Sequence, residues 1–150
     1  VPHFGLDRLV IARLLTIPDE DQFQVRSREL VALPAHFLHS AGNFTLWDPT
    51  SRIVYSGDIG ASIGESYREV TDFDAHVPAM EGFHRRYMAS RAALTAWAGM
   101  IRELQPAMIA PQHGALFRGE EMSNRFLDWL SSLECGIDVM ASSYRLPPRS

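Results

Sequence analysis

Short apolar stretches bounded by turn-forming residues recur along this chain. Such stretches are typical of buried or half-buried β-strands. The predicted strands cover residues 23–25, 29–37, 44–47, 53–56 and 107–110. The third and fourth of these are separated by Asp48-Pro49-Thr50-Ser51. Since proline is favoured at the second position of a tight turn, these two strands are predicted to pair as a hairpin.

A second pattern, with apolar residues at steps of three and four, predicts helices. The longest predicted helix covers residues 78–104, with Pro78 in its first turn and Pro106 just past its end. Further helices are predicted at 6–15 and 119–133, and residues 67–77 are expected to be irregular. The apolar face of the long helix comprises Met80, Phe83, Tyr87, Leu94, Ala98, Ile101 and Leu104.

The order of these elements indicates an α/β fold. Strands come first, and the later helices have one strand between them, which predicts a sheet covered by helices on one face. The length of 150 residues suits one domain, predicted to cover 1–141, with 142–150 as a tail or linker.

The net charge and the cysteine content limit which functions and partners are plausible for this chain. A formal net charge of -4 argues against nucleic acid or an anionic membrane as the main partner. The chain also lacks an apolar run of the roughly 20 residues that span a bilayer. Cys135 is the only cysteine, so the chain can form no internal disulfide. We therefore expect Cys135 to be a buried, unreactive residue and the protein to be cytoplasmic.

Three polar residues, His39, Asp58 and His113, each follow a predicted strand. Two imidazoles and a carboxylate are good ligands for a transition metal. Each also has a simpler interpretation, because an aspartate can cap a turn and a histidine at a strand end can be a hydrogen-bonded structural residue. Gly57 and Gly60 flank Asp58 and would allow the backbone to approach closely.

The motifs around these residues share one order and spacing. His39 lies nineteen residues before Asp58, which follows Ile53-Val54-Tyr55-Ser56-Gly57. The run Ile109-Ala110-Pro111-Gln112-His113-Gly114 comes later. Together they resemble the second half of a metallo-β-lactamase-fold domain, in the branch of the flavodiiron proteins and their flavin-free relatives, the oxygen-binding diiron proteins.

This resemblance implies part of an αββα sandwich, a mixed sheet covered by helices. It also implies two irons bridged by Asp58, with His39 on one iron and His113 on the other. The resemblance further suggests that the Tyr87 hydroxyl points toward a metal-bound ligand, although core packing is the simpler interpretation. His84, on the same predicted helix, could face the site, but surface exposure is the simpler interpretation.

The sequence departs from the family in its first half. The family's H-x-[EH]-x-D-H motif should supply further ligands well upstream of His39. The nearest candidate is residues 3–8, where Gly5 and Arg8 stand at two ligand positions. We interpret this segment as a turn that enters a helix, and we expect the other half of the site outside these 150 residues.

Three functions remain open from the sequence. The first is a non-haem diiron protein that binds or reduces dioxygen or nitric oxide, with an unidentified electron donor. This chain has no flavin-binding motif, which favours oxygen sensing over a complete reductase. The second is a hydrolase of the same fold with two zinc ions. The third is a half-domain without a complete site, inactive alone, whose exposed edge strand would favour a homodimer.

Overall fold

The structure, a computed structural model, describes residues 30–148 and contains a mixed five-stranded sheet. Neighbouring strands follow chain order, and only β3 and β4 pair in parallel. The strands are β1 (Val31–Pro34), β2 (Phe44–Asp48), β3 (Ile53–Gly57), β4 (Met108–Pro111) and β5 (Phe117–Arg118). The helix predicted at 6–15, the strand at 23–25 and the motif at 3–8 lie outside the described residues.

Four helices and one short 3-10 turn complete the described part of the chain. Two helices connect β3 to β4, because parallel strands need a crossover connection. The helices are α1 (Phe73–Tyr87), α2 (Arg91–Leu104), α3 (Glu120–Ser132) and α4 (Ile137–Met140), and the 3-10 turn is Ala141–Ser143. The prediction of a helix at 119–133 is confirmed by α3.

The start of α1 differs from the prediction. The helix begins at Phe73 because the Asp72 side chain accepts a hydrogen bond from the Ala75 N–H (3.1 Å) and caps it. Residues 73–77 are therefore helical rather than irregular. Pro78 lies inside the helix, not in its first turn.

The single helix predicted at 78–104 is also wrong, because the chain breaks between α1 and α2. Met88 is extended, and the Ser90 side chain caps α2 by accepting from the Ala93 N–H (3.2 Å). The Ala89 N–H donates to the Phe37 carbonyl (3.2 Å). The loop that follows β1 is therefore bonded to the chain at the break between the two helices. Apolar residues keep their spacing of three and four across the break, because both helices bury one face in the same core.

The predicted hairpin is confirmed by the antiparallel pairing of β2 and β3. In its turn the Asp48 carboxylate accepts from the Thr50 N–H (2.9 Å) and the Ser51 N–H (3.2 Å). The strand predicted at 29–37 is shorter and ends at Pro34. The Ala35 N–H still bonds the Asn43 carbonyl just before the neighbouring strand (3.1 Å), but the Leu38 N–H then bonds the Ala35 carbonyl (3.0 Å), so the chain turns.

One face of the sheet forms the core with the helices. The core-facing residues Val54, Ile109 and Phe117 are fully buried, whereas Tyr55 on the opposite face is 43% exposed. This arrangement confirms an α/β fold with helices on one face of a mixed sheet. Cys135 is buried, as predicted, and burial raises the pKa of its thiol to about 11.

The direction of the strands decides where the predicted ligands meet. β1 and β3 both run antiparallel to β2, and β4 runs parallel to β3. The carboxyl ends of β1, β3 and β4 therefore lie at the same edge of the sheet. Separately, none of the helices in the described part of the chain has the length and apolar character needed to cross a membrane.

Candidate metal centre

His39 and Asp58 lie side by side at this edge. The Nε2 atom of His39 is 3.2 Å from Oδ2 of Asp58, and both side chains are partly exposed to solvent. Two donor atoms bound to one metal ion at about 2.1 Å lie about 3.0 to 3.4 Å apart, for right-angled to tetrahedral bond angles. The separation of this pair therefore fits two neighbouring ligands of one ion.

Asp58 begins a tight loop, residues 58–62, which we call the Asp58 loop. The Ile59 N–H bonds the Ser56 carbonyl (3.3 Å), and the Ala61 N–H bonds the Asp58 carbonyl (3.1 Å). Gly60 has a φ of +96°, and a Cβ there would lie 2.7 Å from the Pro111 side chain. The glycine that sequence reasoning linked to close backbone approach is thus required at this position.

Aromatic rings form one wall beside His39. The ring centroids of Phe83 and Tyr87 lie 6.0 Å and 5.9 Å from that of His39. Tyr87 is 51% exposed, so it is not a core residue, and the simpler interpretation made from its helical spacing is wrong. Its ring lies beside the predicted ligand because α1 packs next to the loop after β1.

His113 is held at the same edge by its neighbours. The Ser62 N–H donates to the His113 carbonyl (3.3 Å), and the Ser62 hydroxyl accepts from the Ala115 N–H (3.2 Å). The Gln112 N–H bonds the Gly57 carbonyl (2.8 Å). The chain that carries His113 is therefore tied by its backbone to the segment that carries Asp58, while the His113 side chain is exposed.

His84 is buried, so its predicted exposure is wrong. Its Nε2 accepts a hydrogen bond from the Gly60 N–H (2.8 Å), and its Nδ1 lies 2.7 Å from the Met80 carbonyl. Desolvation by burial lowers the pKa of His84 to about 4, against smaller opposing effects of the Met80 carbonyl and Asp58. The ring is therefore neutral at pH 7.

The described residues do not form a complete metal site. Within residues 30–148, no three side chains of His, Cys, Asp or Glu are close enough together to hold a metal ion. His39 and Asp58 are brought together, and His113 is placed at the same edge without joining them in a cluster of three. Imidazole and carboxylate suit iron and zinc alike, so the donor set fits either metal.

The sequence did not predict the roles of two residues that support this edge. Ser62 joins the Asp58 loop to the chain around His113, and His84 joins the same loop to α1. The only sequence feature near these contacts is the glycine-rich character of 57–64. It does not identify partners that lie more than twenty residues away.

Comparisons with known proteins agree with the fold. The family model described as ODP family beta lactamase matches residues 1–114. Two structures of the chemotaxis sensor ODP, a peroxy diiron species and an apo state from T. denticola, are each 47% identical with a TM-score of 0.73. Each alignment covers 79% of this chain and 50% of the sensor chain.

More distant structures share the fold. Rubredoxin oxygen:oxidoreductase from Desulfovibrio gigas is 18% identical with a TM-score of 0.63, covering 69% of this chain and 27% of that protein. The flavodiiron protein from Giardia intestinalis is 19% identical with a TM-score of 0.60, covering 77% and 30%. No curated protein sequence matches. The chain thus spans about half the length of the sensor chains that it matches.

Proposed function

Because this chain belongs to the ODP beta-lactamase family, we propose that it supplies one half of a non-haem diiron site that binds dioxygen or nitric oxide. The contact between His39 and Asp58 at the sheet edge carries this proposal. The 47% identity to a diiron chemotaxis sensor supports iron and a sensing role. The remaining ligands would come from residues outside the described part of the chain.

Each described residue at the site would have its own role. His39 and His113 would each offer an imidazole nitrogen to the iron pair, and Asp58 would offer its carboxylate. When bound, the iron pair supplies the position that holds the diatomic gas. The rings of Phe83 and Tyr87 pack beside His39 and limit its movement. Tyr87 also places a hydroxyl-bearing ring at the site, where it could donate a hydrogen bond to the gas.

Several parts of the proposal concern the cellular setting. With Cys135 as its only cysteine, the chain suits a reducing compartment, and we place the protein in the cytoplasm. We propose sensing rather than complete reduction, because the relative with 47% identity is a chemotaxis sensor. An electron donor is needed only if the gas is reduced.

Iron analysis of the full-length protein, which would carry both halves of the site, tests the ligand assignment. The protein is loaded anaerobically with Fe(II), and metal is measured by elemental analysis after removal of the excess. We expect two irons in the wild type, loss of stoichiometric binding in His39→Ala and His113→Ala, and one iron in Asp58→Ala. Tyr55→Phe, on the opposite side of β3, is the control and should keep both irons.

Different results would contradict specific parts of the proposal. Unchanged iron in His39→Ala or His113→Ala would remove that residue from the ligand set. Two irons in Asp58→Ala would contradict the bridging role. If the purified protein instead holds zinc and turns over an ester or phosphodiester, the hydrolase alternative replaces the diiron proposal.

A further inference from the structure

His84 is on helix α1, and its side chain contacts the Asp58 loop. Both of its ring nitrogens have hydrogen-bond partners. The Gly60 N–H can only donate, so Nε2, 2.8 Å away, must be the acceptor. The ring proton is then on Nδ1, which donates to the Met80 carbonyl at 2.7 Å. These two bonds require one neutral tautomer, with the proton on Nδ1 and none on Nε2.

The bond to Gly60 acts on the part of the loop nearest Asp58. Gly60 lies two residues after Asp58, inside the turn that the Ala61 N–H closes onto the Asp58 carbonyl (3.1 Å). A Cβ on Gly60 would lie 3.0 Å from Phe117 and 3.1 Å from Phe126, so the loop already fills its space on that side.

The surroundings of His84 strengthen this bond. The side chain is fully buried, with its ring centroid 5.4 Å from Phe83 and 5.3 Å from Trp129. Water cannot easily replace the imidazole there, and an unpaired Gly60 N–H would be a buried unsatisfied donor. Phe83 also packs on His39, so one residue of α1 contacts the ligand while the next holds the opposing loop.

We propose that His84 is a positioning residue that holds the Asp58 carboxylate beside His39 through its bond to the Gly60 N–H. The role of Asp58 as a metal bridge rests on the function proposed above. The positioning of the loop does not, because it can be measured without metal.

Nuclear magnetic resonance of the metal-free wild-type chain at pH 7 gives the first test. We expect the nitrogen shifts of His84 to report a protonated Nδ1 and a bare Nε2, and the Gly60 amide to exchange slowly. A proton on Nε2 would overturn the proposal. This measurement needs no variant, so it tests the proposal even if substitutions at His84 prevent folding.

Variants then separate positioning from general core packing. His84→Leu should speed exchange of the Gly60 amide about tenfold relative to His76→Leu, because only the first removes its acceptor. His76 is the matched control: it is equally buried on α1, but its ring bonds the Tyr67 hydroxyl (2.8 Å). His84→Gln, whose amide oxygen can accept from Gly60, should restore slow exchange. Equal exchange in the two leucine variants would contradict the inference.

Iron binding by the full-length protein links the loop to the site. We expect His84→Leu to weaken binding of the second iron about tenfold to a hundredfold, with recovery in His84→Gln and little change in His76→Leu. If Asp58→Ala loses one iron but the two leucine variants bind iron equally, positioning fails and the diiron proposal stands. If Asp58→Ala keeps both irons, the diiron proposal fails, and the amide exchange still decides the role of His84.

Discussion

Replacement of Gly114 by alanine tests how the chain around His113 is fixed. Gly64 and Gly114 have the same φ of +94°, but a Cβ on Gly64 would meet nothing within 4 Å. A Cβ on Gly114 would lie 2.9 Å from the Ser62 backbone nitrogen and 2.8 Å from Glu65 Oε1, and still closer to the Ser62 hydroxyl. The pair therefore separates backbone strain from a steric clash.

The size of each effect follows from these contacts. An L-residue in the left-handed region destabilises the folded state by about 1–2 kcal/mol. Replacement of glycine by alanine also lowers the entropy of the unfolded chain, which offsets about 0.4–1 kcal/mol of this loss. Both terms apply equally to Gly64→Ala, which should lose about 1 kcal/mol. At Gly114, overpacking adds about 1–3 kcal/mol, and displacement of Ser62 removes hydrogen bonds worth about 1 kcal/mol each. We expect Gly114→Ala to lose about 3–5 kcal/mol.

Urea unfolding of the metal-free chain, followed by circular dichroism, measures both variants. The midpoints should differ by the equivalent of about 2–4 kcal/mol at an unchanged slope. Ser62→Ala combined with Gly114→Ala should recover part of the loss, because it removes the hydroxyl but leaves the backbone nitrogen. Equal stability of Gly64→Ala and Gly114→Ala would refute the argument that Ser62 packs against the chain next to His113.

Three further predictions follow from individual residues. Protonation of His84 should lower the free energy of unfolding by about 2.5 kcal/mol between pH 6.5 and 4, because unfolded His84 takes up a proton near 6.5 and the folded ring only at about 4. The fall measured by urea titration should therefore be smaller in His84→Gln than in the wild type; equal falls in the two proteins would contradict a buried neutral ring. Tyr87→Phe should keep both irons but lower dioxygen affinity about tenfold; equal affinity would leave Tyr87 only a packing role. Any dimer that forms through the sheet face opposite the helices should be weakened by Tyr55→Lys in sedimentation experiments, because Tyr55 is 43% exposed on that face; unchanged association would exclude that face.

Much of the fold was predictable because its determinants are local. The hairpin between β2 and β3 depends on Asp48, whose side chain bonds the next turn residues. Helix α3 was predicted within one residue at each end, because its apolar period and boundaries lie within one segment. The order of His39, Asp58 and His113 after three strands could likewise be read from the chain, since each follows an apolar run.

Other features depended on contacts between distant segments. The break between α1 and α2 has a local cap in Ser90, but the chain also leaves the helix where Ala89 bonds Phe37, and the apolar period alone does not show this. Burial of His84 depends on Gly60, twenty-four residues away in sequence. Exposure of Tyr87 beside His39 depends on how α1 crosses the sheet edge.

The sequence by itself thus determined the strand and helix types, the chemistry of three candidate ligands and their family resemblance. Only the tertiary structure decided which side chains meet. Propensity and periodicity report which face of an element is apolar, but they do not report the direction of strands within a sheet. Because β1, β3 and β4 point the same way, His39 contacts Asp58 and the chain around His113 is tied to the same loop.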